Sequence, residues 1–491
     1  MSDVLMTHSY FLRFDPKEHR AMMPYAPLGT LYGAAILKQN GYSVLLADSM
    51  LANSENHILP YLQKHRPPVF VLYDDDFNYL TKMCLHRMRR AALNMIRMAK
   101  QFCRAVIVHG SDSTDHAKEY IESGADYIIK GEAEITLLEL VKSVLSNDKP
   151  VPSIPGLVYA TNGVVKETSP RKILKDLDSL PFPARELVDW DTYRSRWIHR
   201  HNHFSMNVVT TRGCPFHCTW CAKPLYGQVY HSRTPENVAE EFLFLKKNYA
   251  PDHIWICDDI FGLKPGWIQS FTDEIRQRNA QIPFKCLSRV DLLLRGDTIP
   301  ALKSAGCETV WVGAESGSQK ILDAMEKGTT VEQIYAANKK LQQEGIRTAF
   351  FIQYGYPGET SEDIEKTIRM IKDCKPDQIG ISVSYPLPGT KFYDSVSDQL
   401  SEKTNWEDSQ DLALLYRGTF VPDFYRTLHK VTHSRHRISL GFAQARSVIR
   451  NPAQTNKKTL RSLASAGYHI PRLLLYSMIL KYHRQKANVY E

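Results

Sequence analysis

Twice along this chain of 491 residues, short apolar runs alternate with amphipathic segments, a β/α rhythm that asks for a parallel sheet covered by helices. In the first series DVLMTH reads as a strand, LGTLYGAAILKQNG as a helix stopped at Gly41, YSVLLAD as a strand and HILPYLQKH as a helix. VFVLYD, a helical stretch from Leu80 to Phe102, RAVIVHG, a helix from His116 to Ser123, and ADYIIKGE follow. Five strands with four intervening helices predict a doubly wound, flavodoxin- or Rossmann-like domain over residues 1–150, its strand-to-helix loops gathered at one edge where a flat ligand can lie. Residues 151–200 read as a linker, with a small hairpin turning at Asn162–Gly163 and then the proline-punctuated DLDSLPFPARELVDWDTY.

The second series, residues 201–400, sets NVVTT, HIWICDD, PFKCLSR, TVWVGAE, RTAFFIQYG and QIGISVSYP between helical segments. Six β/α units in succession predict a partial (β/α)6 barrel with its chemistry at the carboxyl ends of the strands. Residues 401–491 read as a helical, basic C-terminal region: residues 426–491 hold thirteen Lys and Arg against one acid, Glu491, so the formal charge of +9 is concentrated there. With its short apolar run LLLYSMIL, this tail is expected to cap the barrel or to touch a membrane surface peripherally. No nucleic-acid module accompanies the charge. The opening residues lack a signal-peptide pattern, and no uncharged apolar run approaches the roughly eighteen residues of a membrane span. Nine cysteines, scattered apart from one tight group, suit a reducing cytoplasm and argue against a disulfide framework.

That tight group is Cys214-Pro-Phe-His-Cys218-Thr-Trp-Cys221, a C-x3-C-x2-C triplet in the loop after the first barrel strand. Three thiolates so spaced can each take one iron of a cubane cluster and leave the fourth iron open. The alternative is a closed structural zinc site completed by His217 or Cys257, although His217, inside the triplet, is poorly placed to join the same tetrahedron. The triplet, with Trp220 just before its last cysteine, resembles the signature of the radical S-adenosylmethionine (SAM) superfamily. The resemblance implies a 4Fe-4S cluster on Cys214, Cys218 and Cys221 whose open iron chelates SAM. Trp220 is assigned to the SAM site with them.

Other strand ends carry the likeness further. Asp258 and Asp259 offer an acceptor for the methionine amine, or a helix N-cap; Arg289 offers a fork for the SAM carboxylate, or a surface ion pair. VGAESGS resembles a segment of the cobalamin-dependent subgroup, implying that Gly313, Glu315 and Ser316 face the ribose. FIQYGYPGET and SVSYPLPGT resemble that subgroup's last strand ends, adding Tyr354 and Pro386 to the SAM site.

The front domain is similar to the cobalamin-binding domain of the same enzymes at YAPLG, VHGSD, IIKGEAE and LDSLPFPA. This implies cobalamin contacts from Pro27, Leu28, Gly29, Gly110, Ser111, Gly131 and Glu132. Two departures stand out: the D-x-H-x-x-G motif that supplies an axial histidine is absent, and the loop after VHG reads SDSTDH in place of G-P-H. Cobalamin is therefore expected without a histidine ligand. The activity implied is methylation of an unactivated carbon of a small-molecule or lipid-like metabolite, with flavodoxin or ferredoxin as electron donor. The alternatives are a cobalamin-dependent radical cyclisation, oxidation or rearrangement, and a non-catalytic corrinoid or metal carrier.

Overall fold

The computed structural model describes residues 2–146, 151–223, 225–400, 402–450 and 457–486. They divide into two compact units, residues 1–215 with 222–284 and 405–411, and residues 216–221 with 285–404 and 412–491. The domain edge expected at residue 150 lies outside the described residues.

In the first unit β1 (Val4–Thr7), β2 (Val44–Ala47), β3 (Val69–Tyr73), β4 (Ala105–His109) and β5 (Tyr127–Ile129) pair in parallel in the order β2-β1-β3-β4-β5. β3 is buried at every position, as a central strand covered on both faces must be. The order reverses between β1 and β3, the switch point where a doubly wound sheet opens its ligand crevice. The hairpin expected in the linker instead belongs to this sheet. β6 (Leu157–Thr161) adds antiparallel to β5, with Tyr159 opposite Tyr127, and β7 (Val164–Glu167) forms the edge, making seven strands rather than five. Without it β5 would leave a row of backbone donors and acceptors unpaired.

Helix α1 (Leu28–Gln39) packs its length into this unit, and α2 (His86–Lys100) is shorter than its apolar pattern predicts. The stretch expected as one helix from Leu80 to Phe102 breaks at Cys84, which takes a left-handed φ of 54° after a single turn over Tyr79–Lys82. Likewise the turn over Ser111–Asp115 is separated from Ala117–Glu122 at His116, whose backbone leaves the helical region.

The second β/α series comprises β8 (Ser205–Val208), β9 (Thr211–Arg212), β10 (His231–Ser232), β11 (His253–Ile256), β12 (Phe284–Ser288), β13 (Cys307–Glu315), β14 (Arg347–Tyr354) and β15 (Gln378–Val383). Of these strands, β8 and β11 to β15 make up the half-barrel part of the fold. Its parallel registers pair β8 with β11 in the first unit and join β13, β14 and β15 in the second. The expected strand NVVTT is split: β8 ends at Val208, and Thr211–Arg212 turns away to pair antiparallel with His231–Ser232. α3 (Pro235–Asn248) is N-capped by Thr234, and α4 (Ser361–Cys374) starts at a capping box in which Thr360 and Asp363 satisfy each other's backbone N–H. The C-terminal region ends in two long helices, α5 (Pro422–Arg450) and α6 (Lys457–Lys486). Cysteines 84, 103, 257, 286, 307 and 374 are buried, as expected of core residues.

Between β14 and α4 the chain turns at Gly355, whose N–H donates to Glu359 Oε2 at 2.6 Å while its carbonyl accepts from the Tyr416 hydroxyl. Glu359 is fully buried and its other oxygen has no partner, so burial pushes its pKa up to about 8. An unfolded glutamate loses its proton near pH 4.5, so between there and about pH 8 the folded chain holds one proton more and stability falls as pH rises. Glu359→Gln, which keeps the acceptor for Gly355, is expected to match the parent near pH 5 and to exceed it by roughly 2–5 kcal/mol above pH 8. Chemical denaturation at the two pH values checks this; equal stability at both would mean that Glu359 ionises freely.

Candidate functional site

The loop that bears the cysteine triplet is built by three constraints within the first unit. Asp258, at the end of β11, is buried and accepts from the backbone N–H of Thr210 at 2.6 Å and of Thr211 at 3.1 Å, and from the Thr210 hydroxyl. Burial raises its pKa to about 7, against the pull of those hydrogen bonds. Asp258, one of the two acids expected as acceptor for the SAM amine or as a helix cap, thus holds the loop. Asp259 is half-exposed and pairs with Lys82 at 2.7 Å. Gly213 has a φ of 78°, and a Cβ there would lie 2.2 Å from the Val229 carbonyl oxygen, so only glycine fits before Cys214.

The third constraint is Arg212. Its guanidinium is buried, donates to Glu132 and, at 2.6 and 3.0 Å, to the two oxygens of Glu134, and lies 5.3–5.6 Å from the ring centres of Tyr32, Phe77 and Tyr226. Phe77 and Tyr226 stack at 5.8 Å, and with Leu28, Tyr32, Val209, Leu225 and Cys257 they form one apolar cluster. Burial alone would raise the Glu134 carboxyl, but Arg212 outweighs it and holds the pKa low. Glu132 also accepts from the Leu174 N–H, so both of its oxygens are engaged within the protein rather than offered to a cofactor. Neither Arg212 nor Glu134 was among the expected site residues; the signal for them is GEAE at a strand end and a basic residue directly before Gly-Cys.

Four loops meet at the carboxyl edge of the front sheet. Gly29 lies where a Cβ would come within 3.2–3.3 Å of the Asp74–Asp76 backbone, and its N–H donates to Asp75 at 2.9 Å. Gly110 has a φ of 152° and sits against the Asp74 side chain. Burial pushes both Asp74 and Asp75 up to about 6. His109 has both ring nitrogens engaged, one with Asp76 at 2.6 Å and the other with the Ile129 carbonyl at 3.0 Å. By contrast His8 Nδ1, the Tyr10 hydroxyl, Asp76 Oδ1 and Ser111 Oγ are buried without a protein partner. Pro27 precedes α1, Leu28 is part of the apolar cluster, and Gly131, at a φ of 72°, faces the Leu225 carbonyl.

The second unit holds the rest of the triplet loop and the last strand ends. Cys221 N–H donates to the Cys218 carbonyl at 3.2 Å, and Thr219 between them is anchored to the Met325 carbonyl at 3.0 Å, to the Tyr356 hydroxyl at 2.7 Å and to the Phe392 N–H at 3.0 Å. Glu315 adopts a φ of 54° at the end of β13 and accepts from the buried Lys327 ammonium at 2.8 Å. Burial alone would depress Lys327, but the Glu315 carboxylate and the Cys218 sulfur outweigh it and hold its pKa above the usual lysine value. Gly313 leaves room for this pair, since a Cβ would stand 2.5 Å from Lys327 Nζ. Arg289 is buried 3.6 Å over the Phe216 ring and bonds Asp291 at 2.9 Å, while its Nη1 is unpaired. The Trp220 indole N–H is also unpaired, with Lys327 6.0 Å from its ring.

Three expected residues turn inward. Ser316 bonds Thr367 at 3.1 Å, the Tyr354 hydroxyl meets Thr432 at 3.2 Å, and Pro386 is buried in the loop after β15. Among the described residues no group of three or more His, Cys, Asp or Glu is drawn together as for a single metal ion. Cys257, the suggested fourth zinc ligand, is a core thiol donating to the Val208 carbonyl. A cubane makes a different demand, one thiolate on each of three irons.

Residues 208–371, from the triplet strand to α4, match the model of the radical SAM superfamily. That stretch is a radical SAM domain. An uncharacterized methyltransferase of Pyrococcus horikoshii is 32% identical to this chain over 57% of its length and 60% of the relative's. The anaerobic magnesium-protoporphyrin IX monomethyl ester cyclase of Rubrivivax gelatinosus is 27% identical over 56% and 50%. The chain therefore spans only 50–60% of the length of these curated relatives. Its fold is similar to that of the radical SAM methyltransferase TsrM of Kitasatospora setae, whose structure contains cobalamin and a 4Fe-4S cluster, with a TM-score of 0.67, 20% identity, and coverage of 81% of this chain and 75% of that one.

Because Arg212 balances two buried carboxylates, Arg212→Met is expected to destabilise the protein by about 3–5 kcal/mol. Arg212→Met with Glu132→Gln and Glu134→Gln should recover at least half of that loss in a thermal unfolding comparison. No recovery would place the cost in lost packing on the aromatic rings instead.

Proposed function

We propose that the protein is a cobalamin-dependent radical SAM enzyme that methylates an unactivated carbon of a small-molecule or lipid-like metabolite. The observation that carries this reading is the C-x3-C-x2-C triplet on a loop at the carboxyl end of the first half-barrel strand, inside the stretch that matches the superfamily model. In this reading residues 1–150 are the cobalamin-binding front domain, residues 151–200 lead on from it, residues 201–400 are the radical SAM barrel and residues 401–491 an appended helical region. The protein works in the cytoplasm and takes its electron from a flavodoxin- or ferredoxin-like donor.

The residues present fit all three groups. Cys214, Cys218 and Cys221 would hold the cluster, and the unpaired, buried Nη1 of Arg289 is a donor in want of a carboxylate such as that of SAM. At the front edge, His8 Nδ1, the Tyr10 hydroxyl, Asp76 Oδ1 and Ser111 Oγ are a mixed set of donors and acceptors suited to the amide rim of cobalamin. Gly29, Gly110 and Gly131 would let the backbone come near the corrin. When bound, the cluster supplies the electron that splits SAM to a 5′-deoxyadenosyl radical, and cobalamin carries the methyl group that a second SAM provides.

The chain's own residues do the positioning. Arg289 orients the SAM carboxylate, and Phe216 under its guanidinium keeps water from that face. Lys327 donates to Glu315 and holds its carboxylate in place, ready to accept from ribose hydroxyls. Thr219, tied on three sides, holds the turn between Cys218 and Cys221. Asp258 holds the approach to Cys214. With both nitrogens engaged, His109 is unsuited to ligate cobalt, in keeping with cobalamin bound without a histidine.

A second reading, radical cyclisation or oxidation without methyl transfer, is supported by the likeness to the Rubrivivax gelatinosus cyclase. Anaerobic reconstitution with iron, sulfide and hydroxocobalamin, followed by reductant and SAM, separates the two. The expected products are 5′-deoxyadenosine, lost on Cys218→Ala, together with S-adenosylhomocysteine. Deoxyadenosine without homocysteine product favours the second reading. A chain that binds cobalamin yet never cleaves SAM is a carrier.

A further inference from the structure

Helices α5 and α6 form an antiparallel hairpin: Gly441 packs on Ala466, where a Cβ would lie 2.3 Å away, the Ser434 hydroxyl meets His469 Nδ1 at 3.1 Å, and Lys430 sits 5.5 Å from the Tyr476 ring centre. Such packing accounts for one side of α6 only. Helical residues advance by about 100° each, so Tyr468, Leu474, Leu475, Met478 and Tyr482 fall within about a third of the circumference. All five are exposed, Leu474 at 66% and Met478 at 64%. Single exposed apolar residues are ordinary on a protein surface, whereas a row of them along one helix face marks a binding surface.

The charge around this row says what it meets. Arg461 and Arg472 border it on one side and Lys481 and Arg484 on the other, all four exposed, with the Arg472 guanidinium 4.2 Å over the Tyr468 ring. A cavity of about 720 Å³ opens beside the hairpin against α4, where Lys372, Lys375, Arg435 and Arg446 outnumber one acid, Asp373, around Phe442. From Arg426 to Tyr490 the sequence contains no acid at all. Pairing this face with a second copy of itself would set two basic surfaces against each other, which costs free energy. An anionic lipid surface meets both demands, taking the apolar row into its acyl boundary and the flanking cations among its phosphates. No described helix is long and apolar enough to cross a membrane.

We propose that the α5–α6 hairpin docks the protein on anionic membranes through the face of α6 that carries Tyr468, Leu474, Leu475, Met478 and Tyr482. This inference does not depend on the cofactor reading and is tested without cofactors. The full-length chain is floated with vesicles of phosphatidylcholine alone and of phosphatidylcholine mixed with phosphatidylglycerol, at low and high salt. Expected is flotation with the anionic vesicles only, weakened severalfold by salt. Binding should fall at least about tenfold in L474S/L475S/M478S/Y482S and again in R461E/R472E/K481E, each checked for unchanged unfolding. Absence of flotation with anionic vesicles, or binding that survives both variants, overturns the proposal. So does a dimer in sedimentation velocity that the serine variant dissolves while vesicles leave the parent unbound, since the face would then be a contact between copies.

Discussion

The Arg212 guanidinium ties the end of the front sheet to the entrance of the cysteine loop. It stands two residues before Cys214, yet its carboxylate partners, Glu132 and Glu134, follow β5. A buried cation of this kind is tolerated only when its charge is answered and its donors are satisfied. Two acids and a cage of Tyr32, Phe77 and Tyr226 provide both. The price of moving any of these groups is an unpaired charge in an apolar interior, so the strand-end loops on either side are held to one arrangement.

The same device recurs around both sheets. Glu241 is fully buried between Arg185 and Arg233, and those arginines donate onward to the carbonyls of Asn207 and Val209 at 2.8 and 2.9 Å, which brackets the end of β8. Arg89 forks onto Asp112, which also accepts from the Tyr120 hydroxyl at 2.7 Å. In the second unit Lys327 answers Glu315 at the end of β13. Buried pairs add little net stability over apolar residues of the same volume, but they punish misplacement heavily. Their positions at strand ends are where a site must be held open and exact in shape while its scaffold stays apolar.

Much of the fold was legible because parallel sheets write themselves as continuous apolar runs. The five front strands and the later strands from β11 to β15 are where the β/α alternation puts them. Misreadings arose where a local pattern meets a non-local partner. The hairpin over Leu157–Glu167 reads as an isolated linker, yet β5 has an edge to be paired and the hairpin pairs it. The segment from Leu80 reads as helix throughout, yet Cys84 takes a left-handed turn that no propensity announces. At the site, Asp258 and Glu132 have the right chemistry for ligands, but buried backbone N–H groups and Arg212 engage them first.

By itself the sequence determined the α/β architecture, the cysteine triplet and its place after a strand, because period and spacing are properties of the chain alone. It also determined that the cations gather at the C-terminal end. Only the tertiary structure decided which polar atoms are answered within the protein and which are left over. Asp258, Asp259 and Glu132 are engaged, whereas Arg289 Nη1, His8 Nδ1 and Ser111 Oγ are not. That distinction depends on desolvation and on partners tens of residues away, since a buried donor or acceptor carries its cost until something meets it.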